Sequence, residues 1–361
     1  MNIKEDVEGR RWLEEGLAEG PTQASADKRK AALFALGSMN YNGRGGPQDL
    51  AEARRLFGLA AAQGHAEAQT KLGLMLDHGE GGPQDFAEAI WLFGLAAAQG
   101  NADAQAKLGG MYYDGEVVPQ DFAEARRLLG LADAQGHAVA QASLGCMYHQ
   151  GHGGPQDFAE ARRLFGLAAA QGDAEGQATL GSFHRDGKGG PENYPEAKRL
   201  LGLAAGQGHA EAQCMLGMMH CTGQGSPPDL TEARRLYGLA AAQGYAFAQA
   251  KLGCMYYRGE GGPKDLSEAR RLLEPTAEQG DSVAQCMLGF MHRDGNGSLP
   301  DLAEARRLFG LAAAQGDVMA MEAMNDLDRV AERRLAKKQA DAANAMMEQL
   351  LAEDAEEKKA K

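Results

Sequence analysis

A 36-residue period constrains the fold of this chain more than any other feature. A Gln-Gly step recurs with its glycine at Gly64, Gly100, Gly136, Gly172, Gly208, Gly244, Gly280 and Gly316. A second glycine, preceded by leucine in every case, keeps the same interval at Gly37, Gly73, Gly109, Gly145, Gly181, Gly217, Gly253 and Gly289. Eight units therefore run in one register over residues 29–316. Such a register predicts a stacked array of repeats rather than two or three unrelated domains.

One unit, residues 65–100, divides into two predicted helices. Apolar residues at helical spacing predict helix A from about Ala66 to His78, and helix B starts at Asp85 after a Gly-Pro break. Asp85 and Glu88 form a capping box, in which the aspartate accepts the Glu88 N–H and the glutamate reaches back to the cap. Because an equivalent pair recurs in all eight units, these side chains are predicted to start helices and not to catalyse a reaction.

The two repeated glycines are predicted to have different roles. The Gln-Gly glycine permits the left-handed turn that ends helix B. The other lies inside helix A, where glycine costs about 1 kcal/mol relative to alanine. Its regular recurrence predicts that it lets the two helices of a hairpin approach closely.

The two ends depart from the repeat. Residues 1–28 are predicted to form a degenerate capping helix followed by a linker over Pro21–Lys28. Residues 29–316 hold the eight repeats. Residues 317–361 are predicted to form a capping half-repeat and a charged helical tail that reaches about Glu353. Two interpretations of the tail stay open, namely capping with solubility, or a coiled-coil or partner-docking helix.

Composition narrows the classes of partner. A net charge of −13 disfavours nucleic acid. No apolar run approaches the roughly 20 residues that span a bilayer, so no membrane insertion is expected. The acidic amino-terminal segment lacks a secretory pattern, which predicts a cytoplasmic location. The five cysteines form no CxxC pair, so neither a metal nor another cofactor is predicted.

The unit AEAQxxLGxMYxxGxGxPQDxAEAxxxFxxAAxQG resembles the Sel1-like repeat (SLR), a relative of the tetratricopeptide repeat, over about residues 29–325. The resemblance implies an all-α fold, a right-handed α-solenoid of eight helix–turn–helix repeats with helical caps. It also implies a non-enzymatic scaffold or adaptor that binds other proteins or peptides on a concave surface. The alternative is a binder or hydrolase of small molecules or cell-wall fragments in the hollow of the superhelix.

Two departures from the family pattern affect the loops and one helix. The loop position that usually holds valine is Gly or Ser in every repeat except the one with Val118, so most loops are expected to be more mobile. Pro275 lies well inside a B helix, where it removes a hydrogen bond and predicts a kink.

A third departure places leucine in the outer row of helix B, at Leu59, Leu95, Leu131, Leu167, Leu203, Leu239 and Leu311. On a helical wheel these leucines lie nearly opposite the core positions. Two interpretations stay open. The row is a surface for self-association or a partner, or each leucine packs under an arginine stem or a neighbouring helix.

Candidate partner-binding residues lie where the repeats differ, three and four positions after the Leu-Gly glycine of helix A. In solenoids of the family helix A lines the concave face, and Tyr, His and Arg are residue types of binding hot spots. The candidates are Tyr112, Tyr113, Tyr148, His149, His184, Arg185, His220, Tyr256, Tyr257, His292 and Arg293. The alternative is that the first position of each pair packs at the hairpin junction. Equivalent histidines of adjacent repeats are too far apart to share a metal ion.

Overall fold

The computed structural model describes residues 3–16, 23–296 and 299–329, together with 332, 337, 339–340, 342–344 and 346–347. These residues lie in helices and connecting turns, and none of them belongs to a β-strand. The helices are α1 (Ile3–Gly16), α2 (Gln23–Asn42), α3 (Leu50–Ala61), α4 (Ala66–His78), α5 (Phe86–Ala98), α6 (Ala102–Asp114), α7 (Phe122–Asp133), α8 (Ala138–Gln150), α9 (Phe158–Ala170), α10 (Ala174–Asp186), α11 (Tyr194–Gly206), α12 (Ala210–Thr222), α13 (Leu230–Ala242), α14 (Ala246–Arg258), α15 (Leu266–Glu278), α16 (Ser282–Asp294) and α17 (Leu302–Ala314). Among the described residues, no helix combines the length and the apolar character that crossing a bilayer requires.

The chain forms two compact units, Met1–Ala204 and Ala205–Lys361. From α2 onward the even-numbered helices are A helices and the odd-numbered ones are B helices. In the first unit each A helix from α2 to α8 packs against its own B helix, and each B helix from α3 to α9 packs against the next A helix. The second unit repeats this pattern from α12 to α17. The predicted all-α array of eight helical hairpins is confirmed.

Aspartate side chains start seven of the B helices and Asn193 starts α11, as predicted. Asp85 accepts the backbone N–H of Glu88 at 3.0 Å, and α5 begins at the next residue. The second half of the predicted capping box is wrong, because the glutamate does not reach back. Glu52 instead accepts two hydrogen bonds, of 2.7 and 2.8 Å, from Arg55 one turn along the helix.

The two glycine columns have the roles that the period predicts. Gly100 ends the α5 segment with a φ of +86°, in the left-handed region that favours glycine. Gly73 lies inside α4, where an added Cβ would approach a ring carbon of Phe93 to 2.8 Å. The A and B helices of a hairpin can therefore pack at this short distance only because the A helix carries no side chain there.

Alanine, leucine and phenylalanine of both helices form a core that continues from one hairpin to the next. In α3 the buried residues are Ala53, Leu56, Phe57, Ala60 and Ala61. They share one apolar cluster with residues of α2, α4 and α5.

A glutamine ladder, which the sequence did not predict, crosses this core. Gln69 of α4 is buried, and its amide donates to the Ala61 carbonyl at 3.2 Å. The Gln-Gly glutamine of the next B helix, Gln99, donates to Gln69 Oε1 at 2.7 Å. The same side-chain bond joins Gln135 to Gln105, Gln171 to Gln141, Gln243 to Gln213 and Gln315 to Gln285.

The ends differ in part from the expectation. Gln23–Lys28 lie within α2, so most of the predicted linker is helical. Residues 318–329 are helical, and Asp317 caps them by accepting the Ala320 N–H at 2.9 Å. The predicted end of the tail near Glu353 lies outside the described residues. Helix α15 runs through Pro275 to Glu278, and the kink stays a prediction.

Candidate partner-binding face on the A helices

The eleven candidate residues lie near the carboxyl ends of the A helices, and every one is half-buried. Consecutive A helices contact one another directly, α6 with α8, α8 with α10, and α14 with α16. The candidates occupy two positions of the repeat, each called a column below. The first column is Tyr112, Tyr148, His184, His220, Tyr256 and His292, and the second is Tyr113, His149, Arg185, Tyr257 and Arg293.

The first column belongs largely to the junction between repeats. Its backbone carbonyls accept the N–H of the residue that caps the following B helix, at 2.7–3.0 Å. Three of its side chains, Tyr148, His184 and Tyr256, contact an arginine of the preceding repeat. The Arg126 guanidinium lies 3.8 Å from the centre of the Tyr148 ring, and Arg234 lies 3.9 Å from that of Tyr256. These are cation–π contacts in a partly desolvated setting.

His184 makes the equivalent contact through a hydrogen bond. Arg162 Nη2 lies 2.8 Å from His184 Nδ1. Since a guanidinium only donates, Nδ1 accepts, and the imidazole is neutral. Burial, with the Arg162 charge next, lowers the pKa of His184.

The same arginines hold the loops. Arg54 donates to the carbonyls of Pro83 at 2.9 Å and Glu80 at 3.4 Å. A Cβ at Gly82 would lie 2.8 Å from Arg54 Nη1. The glycines of the loops thus make room for a guanidinium, which replaces the family's apolar anchor. These hydrogen bonds hold the loop in place, and the higher loop mobility expected from the sequence stays a prediction.

One pair of repeats carries apolar residues at these two positions. The arginine and the loop glycine are 28 residues apart in the pairs Arg54/Gly82, Arg126/Gly154, Arg162/Gly190 and Arg234/Gly262. At the same spacing, Ile90 replaces the arginine where Val118 replaces the glycine.

The second column varies in chemistry from repeat to repeat. The Tyr113 hydroxyl donates to Gln150 Oε1 of the next A helix at 2.6 Å. His149 packs against Phe183 with ring centres 5.1 Å apart. Arg185 and Arg293 each donate to the carboxylate of the adjacent aspartate at 2.7 Å. The Lys264 Nζ lies 5.1 Å from the centre of the Tyr257 ring. These partners leave each side chain partly exposed.

Burial sets the protonation of the groups on this face. It raises the pKa of the Tyr113 and Tyr257 hydroxyls and lowers the pKa of His149. Near neutral pH the column therefore offers hydroxyl donors and a neutral imidazole, with charge only at its arginines.

The described residues contain no cluster of three or more His, Cys, Asp or Glu side chains that could hold a metal ion. Burial raises the pKa of Cys146 and Cys254 to about 11 and that of Cys214 and Cys286 to about 12. These thiols stay protonated near neutral pH, which makes them poor nucleophiles.

The leucine row of the B helices faces outward, as the helical wheel predicts. Leu59, Leu131, Leu167, Leu203, Leu239 and Leu311 are 39–45% exposed, and Leu95 is half-buried. Between α9 and α11 a groove of about 450 Å³ has Arg199 and Leu203 on one wall and Leu180 of α10 among its lining residues.

Sequence reasoning missed three features, namely the glutamine ladder, the arginines that hold the loops, and an exposed tryptophan, Trp91. For Trp91 the signal was available, because it replaces an arginine that the other repeats keep. For the ladder the signal was the pair of repeated glutamines, but their spacing does not reveal that they meet.

Comparison with known proteins agrees with this geometry. The Sel1 repeat model matches eight consecutive segments, residues 30–65, 66–101, 102–137, 138–173, 174–209, 210–245, 246–281 and 282–317. A protective antigen of uropathogenic Escherichia coli with an SLR fold is 31% identical, with a TM-score of 0.72 over 91% of this chain and 67% of that one. A Sel1 repeat protein from Oxalobacter formigenes is 29% identical, with a TM-score of 0.60 over 80% of this chain and 89% of that one. The search of curated proteins finds no match. With all eight repeats matched and their hairpin geometry in place, the chain belongs to the Sel1 repeat family.

Proposed function

We propose that this protein is a non-enzymatic scaffold that binds segments of other proteins or peptides over the second column of its A helices. Sel1 repeat proteins are generally protein-interaction scaffolds. One observation carries the proposal. The residues that recur in every repeat cap helices, form turns, pack in the core or hold the loops. The residues of the second column change from repeat to repeat and stay partly exposed.

The test is affinity purification with quantitative mass spectrometry. The variant changes Tyr113, Arg185, Tyr257 and Arg293 to alanine. The control changes four exposed B-helix arginines, Arg55, Arg163, Arg199 and Arg235, to alanine. We expect the A-helix variant alone to lose partners, with unfolding transitions recorded to show that both variants fold. An unchanged partner list for a folded A-helix variant would contradict the proposal.

The leucine row supports a second contact surface, through which the protein associates with itself. The supporting observation is that six of its leucines are more than one third exposed. No feature of the described residues favours the alternative of a small-molecule or cell-wall-fragment binder or hydrolase, and we do not propose it.

A further inference from the structure

The outer face of the B helices carries a row of ion pairs with one interruption. In seven repeats an arginine binds both oxygens of the glutamate one turn earlier, at 2.6–2.8 Å. The arginines are Arg55, Arg127, Arg163, Arg199, Arg235, Arg271 and Arg307. In α5 the equivalent residue is Trp91, which is 61% exposed.

The replacement leaves its glutamate without a basic partner. Glu88 is exposed, whereas the seven paired glutamates are half-buried. Within the part of the chain that the structure describes, no ion pair involves the Glu88 carboxylate. One repeat therefore presents a bare carboxylate where the others are neutralised.

An apolar side chain completes the patch. Residues three and four apart share one face of a helix, so Trp91 lies between Glu88 and Leu95. Trp91 and Leu95 hold the same positions in their repeat as Arg199 and Leu203 hold three repeats later. Arg199 and Leu203 line the groove between α9 and α11. The position that holds an arginine there is thus aromatic in α5, and the leucine beside it is kept.

We propose that Trp91, Glu88 and Leu95 form a docking site for an arginine-bearing segment of a partner protein. A guanidinium can stack on an indole face and bind a carboxylate at the same time. The bond to the carboxylate is the one that the repeat's own arginine makes in the other repeats. An apolar side chain next to that arginine packs on Leu95. The net charge of −13 favours a basic partner. The site lies on the B helices, so its failure and that of the A-helix proposal are independent.

A defined peptide pair tests the site. The probe is a fluorescein-labelled peptide of alternating leucine and arginine, and the matched peptide replaces each arginine by uncharged citrulline. Binding is followed by fluorescence anisotropy. In a Trp12→Phe background Trp91 is the only tryptophan, and its emission reports contact directly. We expect the arginine peptide to shift Trp91 emission and to bind about tenfold more weakly to Trp91→Arg and Glu88→Gln.

The variants distinguish binding at this site from nonspecific electrostatic attraction to an acidic protein. Trp91→Arg restores the arginine of the other repeats and is expected to fold. Glu67→Gln removes an exposed carboxylate from the A helix of the same hairpin and should bind like the wild type. Equal binding by Trp91→Arg, equal binding of the citrulline peptide, or a loss in Glu67→Gln matching that in Glu88→Gln would overturn the proposal. So would a dimer of the wild type that Trp91→Arg abolishes, because the occupant would then be a second copy.

Discussion

At the scale of single residues, one arginine of a B helix connects two positions of the next repeat, a tyrosine of helix A and a loop glycine. Arg126 stacks on Tyr148 and fills the space that a side chain at residue 154 would need. Gly154 is therefore required by Arg126, 28 residues earlier, and not by its own backbone. This explains why Ile90 and Val118 depart from the repeat together.

Gly154→Val is expected to lower the free energy of unfolding by about 1–3 kcal/mol, because the valine displaces the Arg126 guanidinium. The double variant Arg126→Ile/Gly154→Val copies the Ile90/Val118 pair and should recover much of the loss. Urea unfolding of the two single variants and the double variant measures the coupling. Strictly additive effects would show that the two residues do not depend on each other.

His65 predicts a pH dependence of stability. Its Nδ1 accepts the Ala68 N–H at 3.2 Å, and this cap requires an unprotonated nitrogen. Burial lowers the pKa of His65, with Glu67 opposing and Lys30 adding to the effect. Because protonation is harder in the folded state, the contribution is present above the ordinary value of 6.5 and is lost as the pH falls below it.

His65→Asn should remove this part of the pH dependence, because Asn101 caps α6 in the same way without titrating. Between pH 8 and pH 5 the wild type should lose about 1 kcal/mol more than the variant, the usual contribution of an N-cap. Urea unfolding at several pH values measures the difference. Parallel profiles for the two proteins would contradict the assignment.

At the scale of helices, two glycines that both lie inside a helix differ in the space that surrounds them. In α4 a Cβ at Gly73 would meet the Phe93 ring, whereas a Cβ at Gly94 in α5 would meet nothing within 4 Å. The first glycine determines how closely the hairpin packs, and the second only weakens its helix.

Gly73→Ala is therefore expected to lower the free energy of unfolding by about 1–3 kcal/mol, despite the better helix propensity of alanine. Gly94→Ala should raise it by up to about 1 kcal/mol for the same change in propensity. Thermal and urea unfolding followed by circular dichroism compare the two. Stabilisation by both substitutions would mean that Phe93 yields without cost.

At the scale of the whole molecule, the chain combines a large negative charge with a row of exposed leucines. Charge repulsion keeps copies apart, and apolar contact at about 25 cal/mol per Å² of buried surface favours their association. The balance depends on salt, because salt screens only the repulsion.

Light scattering should show a molar mass above 38.3 kDa that rises with protein concentration and with salt. Changing Leu59, Leu131, Leu203 and Leu239 to glutamine should hold the mass at the monomer value. A wild type that stays monomeric at high concentration and high salt would rule out self-association through the row.

The sequence by itself determined the number of repeats, the ends of their helices and the outward direction of the leucines. Capping and turn formation depend on residues within a few positions of each other, so Asp85 and Gly100 act through their own backbone surroundings. The two halves of the Gln69–Gln99 bond are 30 residues apart, and Arg126 and Gly154 are 28 apart. Only the packing of hairpins brings such pairs together. Tertiary structure therefore decided which candidate residues hold the repeats together, and so which side chains stay exposed for a partner.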